Sequence, residues 1–215
     1  MSVIVLAGTI GAGKSSLTAL LANHLGSQAF YESVEENEVL PLFYQDPEQY
    51  AFLLQIYFLN KRFANIKKAM QEDNNVLDRS IYEDSLLFHL NADLGRANDI
   101  EVSVYDELLH NMMEELPYAA YKKHPDLLVH IKVSFATMLE RIEKRGRPYE
   151  QLEFDPTLYN YYKELNRRYD SWFENYHHSP KIQIDGDQLN FVENPQAAYQ
   201  VLAMVDKKLA EIREG

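Results

Sequence analysis

The apolar run Val3-Ile4-Val5-Leu6-Ala7 breaks at Gly8 into Gly8-Thr9-Ile10-Gly11-Ala12-Gly13-Lys14-Ser15, which satisfies G-x-x-x-x-G-K-[ST]. A continuous aliphatic run of this kind suits a central parallel strand covered on both faces. After the glycine segment, Leu17, Leu20, Leu21 and Leu25 recur at helical spacing before Gly26, a residue that can end a helix in the left-handed conformation. Strand, glycine turn and helix therefore follow in order. The glycines let backbone N–H groups close around phosphate oxygens, the helix presents its positive N-terminus, Lys14 adds a point charge, and Ser15 offers a hydroxyl to Mg2+. Gly8, Thr9, Ile10, Gly11, Ala12, Gly13, Lys14, Ser15 and the adjoining Ser16 are accordingly expected to hold the phosphates of a nucleotide.

The remainder of the chain repeats the alternation. Short strand candidates recur at 29–31, 75–77, 127–132 and 181–184, separated by helical stretches that include 47–70, 99–116, 135–145 and 156–176. The pattern predicts an α/β fold with a five-stranded parallel sheet flanked by helices. Pro47, Pro117, Pro125 and Pro156 fall at expected helix starts or in loops between elements, and no repeat or Gly/Ser linker divides the chain. Its 215 residues are therefore expected to form one domain. Several of the 15 tyrosines lie at helical spacing within 44–57 and 159–176, where they suit amphipathic packing or a subunit interface.

A phosphate loop fixes what is bound and leaves the reaction open. A guanine-reading Asn-Lys-x-Asp is absent, since Asn60-Lys61 runs into Arg62-Phe63 inside an expected helix, and motor or helicase ATPases need longer chains. The formal net charge of −12 disfavours nucleic acid as a partner. The lack of cysteine removes disulfides and thiol nucleophiles, and the seven histidines show no metal-ligand spacing. The apolar run at 3–7 is too short for a signal peptide or a membrane span, so a soluble, cytoplasmic protein is expected. A small phosphotransferase fits these bounds.

Three further stretches define its type. Glu32 leaves the second strand where a parallel sheet places its ligand crevice, so it is read as a general base for an attacking hydroxyl. Glu35, Glu36 and Glu38 suit surface charge, yet the acidic sign of this loop matters. An acceptor already carrying a phosphate would meet carboxylates, at about 4 kcal/mol for one charge pair at about 4 Å and an effective dielectric of about 20. A neutral nucleoside fits better. In Val76-Leu77-Asp78-Arg79-Ser80, Asp78 can join the Mg2+ shell and Arg79 can neutralise a transferring phosphoryl group, with an Asp-Arg salt bridge as the alternative. Finally, Arg141 and Arg145 share a helical face, Gly146 breaks the helix and Arg147 follows, which suits a lid whose guanidinium groups close on a triphosphate.

In this order and spacing the chain resembles the deoxynucleoside kinase family, and within it the bacterial deoxyadenosine and deoxyguanosine kinase branch. The resemblance runs from the phosphate loop to Asp185-Gly186-Asp187 and includes the lid pattern R-x-x-x-R-G-R-x-x-E at Arg141, Arg145, Gly146, Arg147 and Glu150. The family's catalytic glutamate falls on Glu32, and its acid-Arg-Ser motif, often begun by Glu, is Asp78-Arg79-Ser80 here. The resemblance implies ATP as donor with Mg2+, phosphorylation of a deoxynucleoside 5′-hydroxyl in nucleotide salvage, and inhibition by the end-product triphosphate. It places Tyr44 and Glu150 on the deoxyribose 3′-hydroxyl, Gln55, Arg62 and Asp84 on the base, and Asp185, Gly186 and Asp187 beside the donor adenine. Gln55 and Arg62 stand two helical turns apart on one face. Asp84 equally suits the start of the helix containing Leu86, Leu87 and Leu90, and Asp-Gly-Asp equally suits a turn. The resemblance also implies a homodimer, with pairing to a paralogue left open.

The polar set favours deoxyadenosine, with deoxyguanosine or deoxycytidine admitted and thymidine disfavoured. Two other readings use some of the same features. A nucleoside monophosphate kinase of thymidylate-kinase type shares the phosphate loop and the Asp-Arg element, and a catalytically silent nucleotide-binding regulator would need only the phosphate loop.

Overall fold

A computed structural model describes residues 3–32, 34, 37–119 and 124–214. Ser33, Glu35 and Glu36, from the acidic loop considered above, lie outside the described residues. The first strand, β1 (Val3–Ala7), is buried at every position because both of its sides are apolar. It is followed by α1 (Lys14–Leu25), β2 (Ala29–Phe30), α2 (Val39–Gln45), α3 (Pro47–Ala69) and β3 (Asn75–Asp78). Next come α4 (Ile81–Asp93), α5 (Asp99–Ala119), β4 (Leu127–Lys132), α6 (Phe135–Arg145) and a 3-10 turn at Pro148–Glu150. The chain closes with α7 (Leu158–Asn175), β5 (Lys181–Asp185) and α8 (Pro195–Glu214).

The five strands form one parallel sheet in the order β2-β3-β1-β4-β5, as expected from the alternation. Register places Leu6 of β1 opposite Asp78 of β3 and Val129 of β4. Val3, Val5 and Ala7 face one hydrophobic cluster with Leu59, Phe88 and Tyr105 from α3, α4 and α5. Ile4 and Leu6 face the other, with Leu17, Tyr162 and Val201 from α1, α7 and α8. Each buried Val, Ile or Leu side chain of β1 contributes roughly 1.5–3 kcal/mol.

Local signals explain most boundaries. Asp46 accepts from Gln49 N–H at 3.1 Å and Pro47 occupies the first turn of α3. Within 159–176, Tyr161, Tyr162 and Tyr169 are buried in the core, so these three pack intramolecularly, whereas Tyr159 is exposed. Two helices lie outside the stretches singled out above. In α2, Pro41 sits in the first turn, where its missing N–H costs no helical bond. In α8, Ala197, Val201, Val205 and Leu209 form an i, i+4 buried stripe. The placement of Pro117 in a loop is corrected: α5 continues two residues beyond it, in its final turn. At the sheet edge, β2 stops before Tyr31, which is exposed and unpaired in the ladder. Among the described residues no helix is long and apolar enough to cross a membrane.

Candidate active site

The carboxyl ends of the strands carry the glycine loop, Glu32, Asp78, Arg79 and Asp185 to one edge of the sheet, the position that open parallel sheets use for ligands. From β1 the chain enters the glycine loop, whose turn is closed by Ala12 N–H on the Thr9 carbonyl at 3.2 Å, with Ile10 between them. Gly13, at φ +99°, caps α1 in a conformation an L side chain rarely adopts, and a Cβ there would lie 3.2 Å from Phe191. Lys14 folds back over the loop, donating to the Gly8 and Thr9 carbonyls at 2.8 and 3.1 Å. Burial, reinforced by the nearby Arg79 charge, brings its ammonium down to about 8. Ser15 and Ser16 are exposed in the first turn of α1. The Ser15 hydroxyl donates to Asp78 Oδ2 at 2.5 Å, so the first turn of α1 and the end of β3 meet at these two groups.

The other oxygen of Asp78 is buried with no hydrogen-bond partner among the described residues. An orphaned carboxylate oxygen next to a phosphate-loop serine fits Mg2+, which takes one or two protein ligands and completes its shell with phosphate and water. Ser15 and Asp78 are the residues that would hold it.

Glu32 lies just beyond β2 between two guanidinium groups. Its Oε1 is 2.9 Å from Arg62 Nη2 and 2.9 Å from Arg79 Nε. Burial alone would raise its pKa, but Arg79, Arg62 and Lys14 together bring it down to about 2. Arg79 follows β3 at φ +82°, a backbone strain costing about 1–3 kcal/mol that aims its side chain at this carboxylate.

On α3, Arg62 holds Asp84 bidentately, with Nε to Oδ2 and Nη2 to Oδ1 both at 3.1 Å, and Nη1 donates to the Asp78 carbonyl at 2.9 Å. One Nη1 proton remains available. Asp84 is fully buried in the first turn of α4, so it starts that helix as one of its two readings expects, and it faces Arg62 of α3. Gln55, 3% exposed on the same face of α3, has a buried Oε1 without a hydrogen-bond partner among the described residues.

Tyr44 of α2 lies beside Tyr149, with ring centroids 5.0 Å apart and the planes tilted by 34°, and burial beside Tyr162 and Glu150 raises its pKa; the Tyr162 hydroxyl donates to the Glu150 carbonyl at 3.0 Å. Tyr44 and Glu150 are thereby brought together. The Glu150 carboxylate is buried against Arg145, and Arg147 lies 3.5 Å away. Arg141 is engaged differently, donating to the Ala12 carbonyl at 3.0 Å and to the Gly186 carbonyl at 2.8 Å. It thus ties the phosphate loop to the segment after β5. There Asp185 accepts from the N–H groups of Asp187 and Gln188, a local turn, and Asp187 accepts from Ser134 N–H at the start of α6. A Cβ at Gly186 would meet Val133 Cγ1 at 2.8 Å, which requires glycine for this close approach.

Two polar residues were not anticipated from the sequence. Glu83 is fully buried and accepts from Gly8 N–H at 3.0 Å, and Tyr169 of α7 donates to it at 2.9 Å. Ser80-Ile81-Tyr82-Glu83 fits the S-x-x-E capping box, and both of its hydrogen bonds form, so a local signal for Glu83 exists. None exists for Tyr169, which arrives from 86 residues away.

The profile of the family described as Deoxynucleoside kinase matches residues 4–211. The chain is 61% identical over 212 residues to a deoxyguanosine kinase of Lactobacillus johnsonii, covering 99% of this chain and 94% of that one. It is 56% identical over 212 residues to a deoxyadenosine kinase of Lactobacillus acidophilus, covering 99% and 98%. In structure it is similar to the deoxyadenosine kinase from M. mycoides with bound dATP, at a TM-score of 0.77 and 29% identity, over 97% of this chain and 99% of that one.

Proposed function

The chain belongs to the deoxynucleoside kinase family, and on that premise we propose that it transfers the γ-phosphoryl group of ATP to the 5′-hydroxyl of a purine deoxynucleoside, deoxyadenosine first. The observation that carries this reading is Glu32, held at the end of β2 by Arg62 and Arg79 in the same crevice as the phosphate loop. Both guanidinium groups engage Oε1, so the other carboxylate oxygen would accept the hydroxyl proton as the 5′-oxygen bonds to phosphorus and ADP departs. A carboxylate depressed to about 2 is a weak base. It suffices because a loose phosphoryl-transfer transition state leaves the nucleophile's proton in place until late.

The residues divide the work by charge. Gly8, Thr9, Ile10, Gly11, Ala12, Gly13, Lys14, Ser15 and Ser16 hold the donor phosphates, with Asp185, Gly186 and Asp187 beside the donor adenine. Mg2+ at Ser15 and Asp78 would neutralise charge on the donor phosphates. Arg79 faces the transferring group from the acceptor side, and Arg141, Arg145 and Arg147 border it from α6 and the following turn. Tyr44 and Glu150 take the deoxyribose 3′-hydroxyl.

Base choice follows from Gln55. An amide turned one way accepts from the adenine amino group and donates to N1; turned over, it donates to guanine O6 and accepts from N1–H. Arg62 offers its remaining N–H to either purine, while Asp84 supplies an acceptor suited to an exocyclic amine. The relatives carry both names, deoxyguanosine kinase and deoxyadenosine kinase. Thymidylate-type kinase and silent regulator are not favoured, since the family match spans the chain.

The test is ADP release with ATP and, singly, deoxyadenosine, deoxyguanosine, deoxycytidine, thymidine and dTMP. Turnover of the purine deoxynucleosides with deoxyadenosine foremost is expected. Turnover of dTMP alone, or of no acceptor, would overturn the assignment.

A further inference from the structure

Glu83 does more than a helix cap requires. A capping box needs the Ser80 N–H on the carboxylate of Glu83, and that bond is present at 2.8 Å on Oε2. Oε1 takes on additional partners: Gly8 N–H at 3.0 Å, the Tyr169 hydroxyl at 2.9 Å and, at 3.6 Å, Arg79 Nη1. Tyr169 closes the ring by accepting from the same Arg79 nitrogen at 3.1 Å. Every group facing this carboxylate is a donor. The anion accepts from all of them at once, and it does so against burial, which pushes the pKa of this carboxyl up.

The three extra partners belong to different parts of the site. Gly8 is the first residue of the phosphate loop, and Arg79 is the left-handed residue whose Nε lies on Glu32. We propose that Glu83, together with Tyr169, is a positioning pair for phosphoryl transfer, holding Arg79 against Glu32 and fixing both to the first N–H of the phosphate loop. Donor and acceptor halves of the reaction are thus aligned through one carboxylate that touches neither substrate. The inference rests on the phosphotransfer reading above. Because it concerns alignment in the transition state, its signature is a loss of kcat with little change in either KM.

Tyr169→Phe removes only the hydroxyl and keeps the ring packed beside Trp172. It is expected to lower kcat about tenfold, with KM for ATP and for deoxyadenosine within about threefold and the melting midpoint within about 3 °C of wild type. Glu83→Gln, which cannot serve all these donors, should lower kcat about a hundredfold. The double variant should be no worse than Glu83→Gln by more than about threefold, because the two residues act as one unit. Wild-type kcat in Tyr169→Phe, losses confined to KM, a multiplicative double variant, or a kcat loss accompanied by a large fall in melting midpoint would each overturn the proposal. If Glu83→Gln fails to fold, Tyr169→Phe decides alone. Wild-type protein assayed alongside separates the two readings, because inactivity there would sink phosphotransfer itself.

Discussion

Arg62 Nη2 stands 2.9 Å from Glu32 Oε1 and 3.1 Å from Asp84 Oδ1, so one guanidinium joins the carboxylate at the end of β2 to the carboxylate at the start of α4. The reacting end of the proposed acceptor pocket and its base-reading end are therefore electrostatically coupled.

The first prediction concerns Glu32 itself. With its pKa at about 2 against an ordinary 4.5, the carboxylate is ionised throughout the physiological range. A depressed carboxyl contributes stability that is fully present above pH 4.5 and is lost as pH falls towards 2. Carboxyl 13C resonances, with Glu32 assigned from its Gln variant, should show no titration of this group between pH 7 and about 4. In Arg62→Met the titration should move up and acid unfolding should begin at higher pH. An ordinary Glu32 titration in wild type would refute the clamp.

Glu32→Gln keeps shape but cannot take the proton. Its turnover should fall about 10²-fold or more while deoxynucleoside KM changes little. Near-normal turnover in the purified variant would remove Glu32 from the base role.

For base choice, removing Asp84 alone would strand a buried cation on Arg62, so the informative change is double. Arg62→Met with Asp84→Ala should depress deoxyadenosine use and raise thymidine use, shifting the ratio of kcat/KM values by at least about tenfold, since each polar contact is worth about 1–3 kcal/mol. An unchanged ratio in an active variant would show that these residues do not read the base.

Arg145 is held by Glu150, and Arg147 stands beside the same carboxylate. Contact with a triphosphate requires Arg145 to change partner. Arg145→Ala should lower kcat by about 10³-fold and affect KM for ATP less, because a transition-state clamp is lost. A change in KM alone would make it a ground-state binder.

How much of this was legible in the sequence depends on range. The phosphate loop, Asp78-Arg79-Ser80 and the lid arginines are contiguous patterns, and the expected helix 135–145, broken at Gly146, coincides with α6. Gln55 and Arg62 lie on one helical face by simple periodicity. The bonds that give these residues their character were hidden, because Arg62 reaches Glu32 across 30 residues and Arg141 reaches Ala12 across 129. Periodicity says which face a residue occupies but not which distant element packs against it. Glu83 illustrates the limit: its capping box is local, whereas its contacts to Gly8 and Tyr169 exist only once three elements have assembled.

The gathering of Gly8, Glu32, Asp78 and Asp185 at the carboxyl ends of the strands leaves the opposite rim of the sheet, among the described residues, apart from the proposed site. The exposed residues 71–73, ahead of β3, lie on that far rim. Cargo can be attached there: a fluorophore, an affinity handle or a tether to a surface would ride on the molecule without entering the crevice. The parallel arrangement that concentrates reactivity on one rim thus provides a place to hold the molecule while it works.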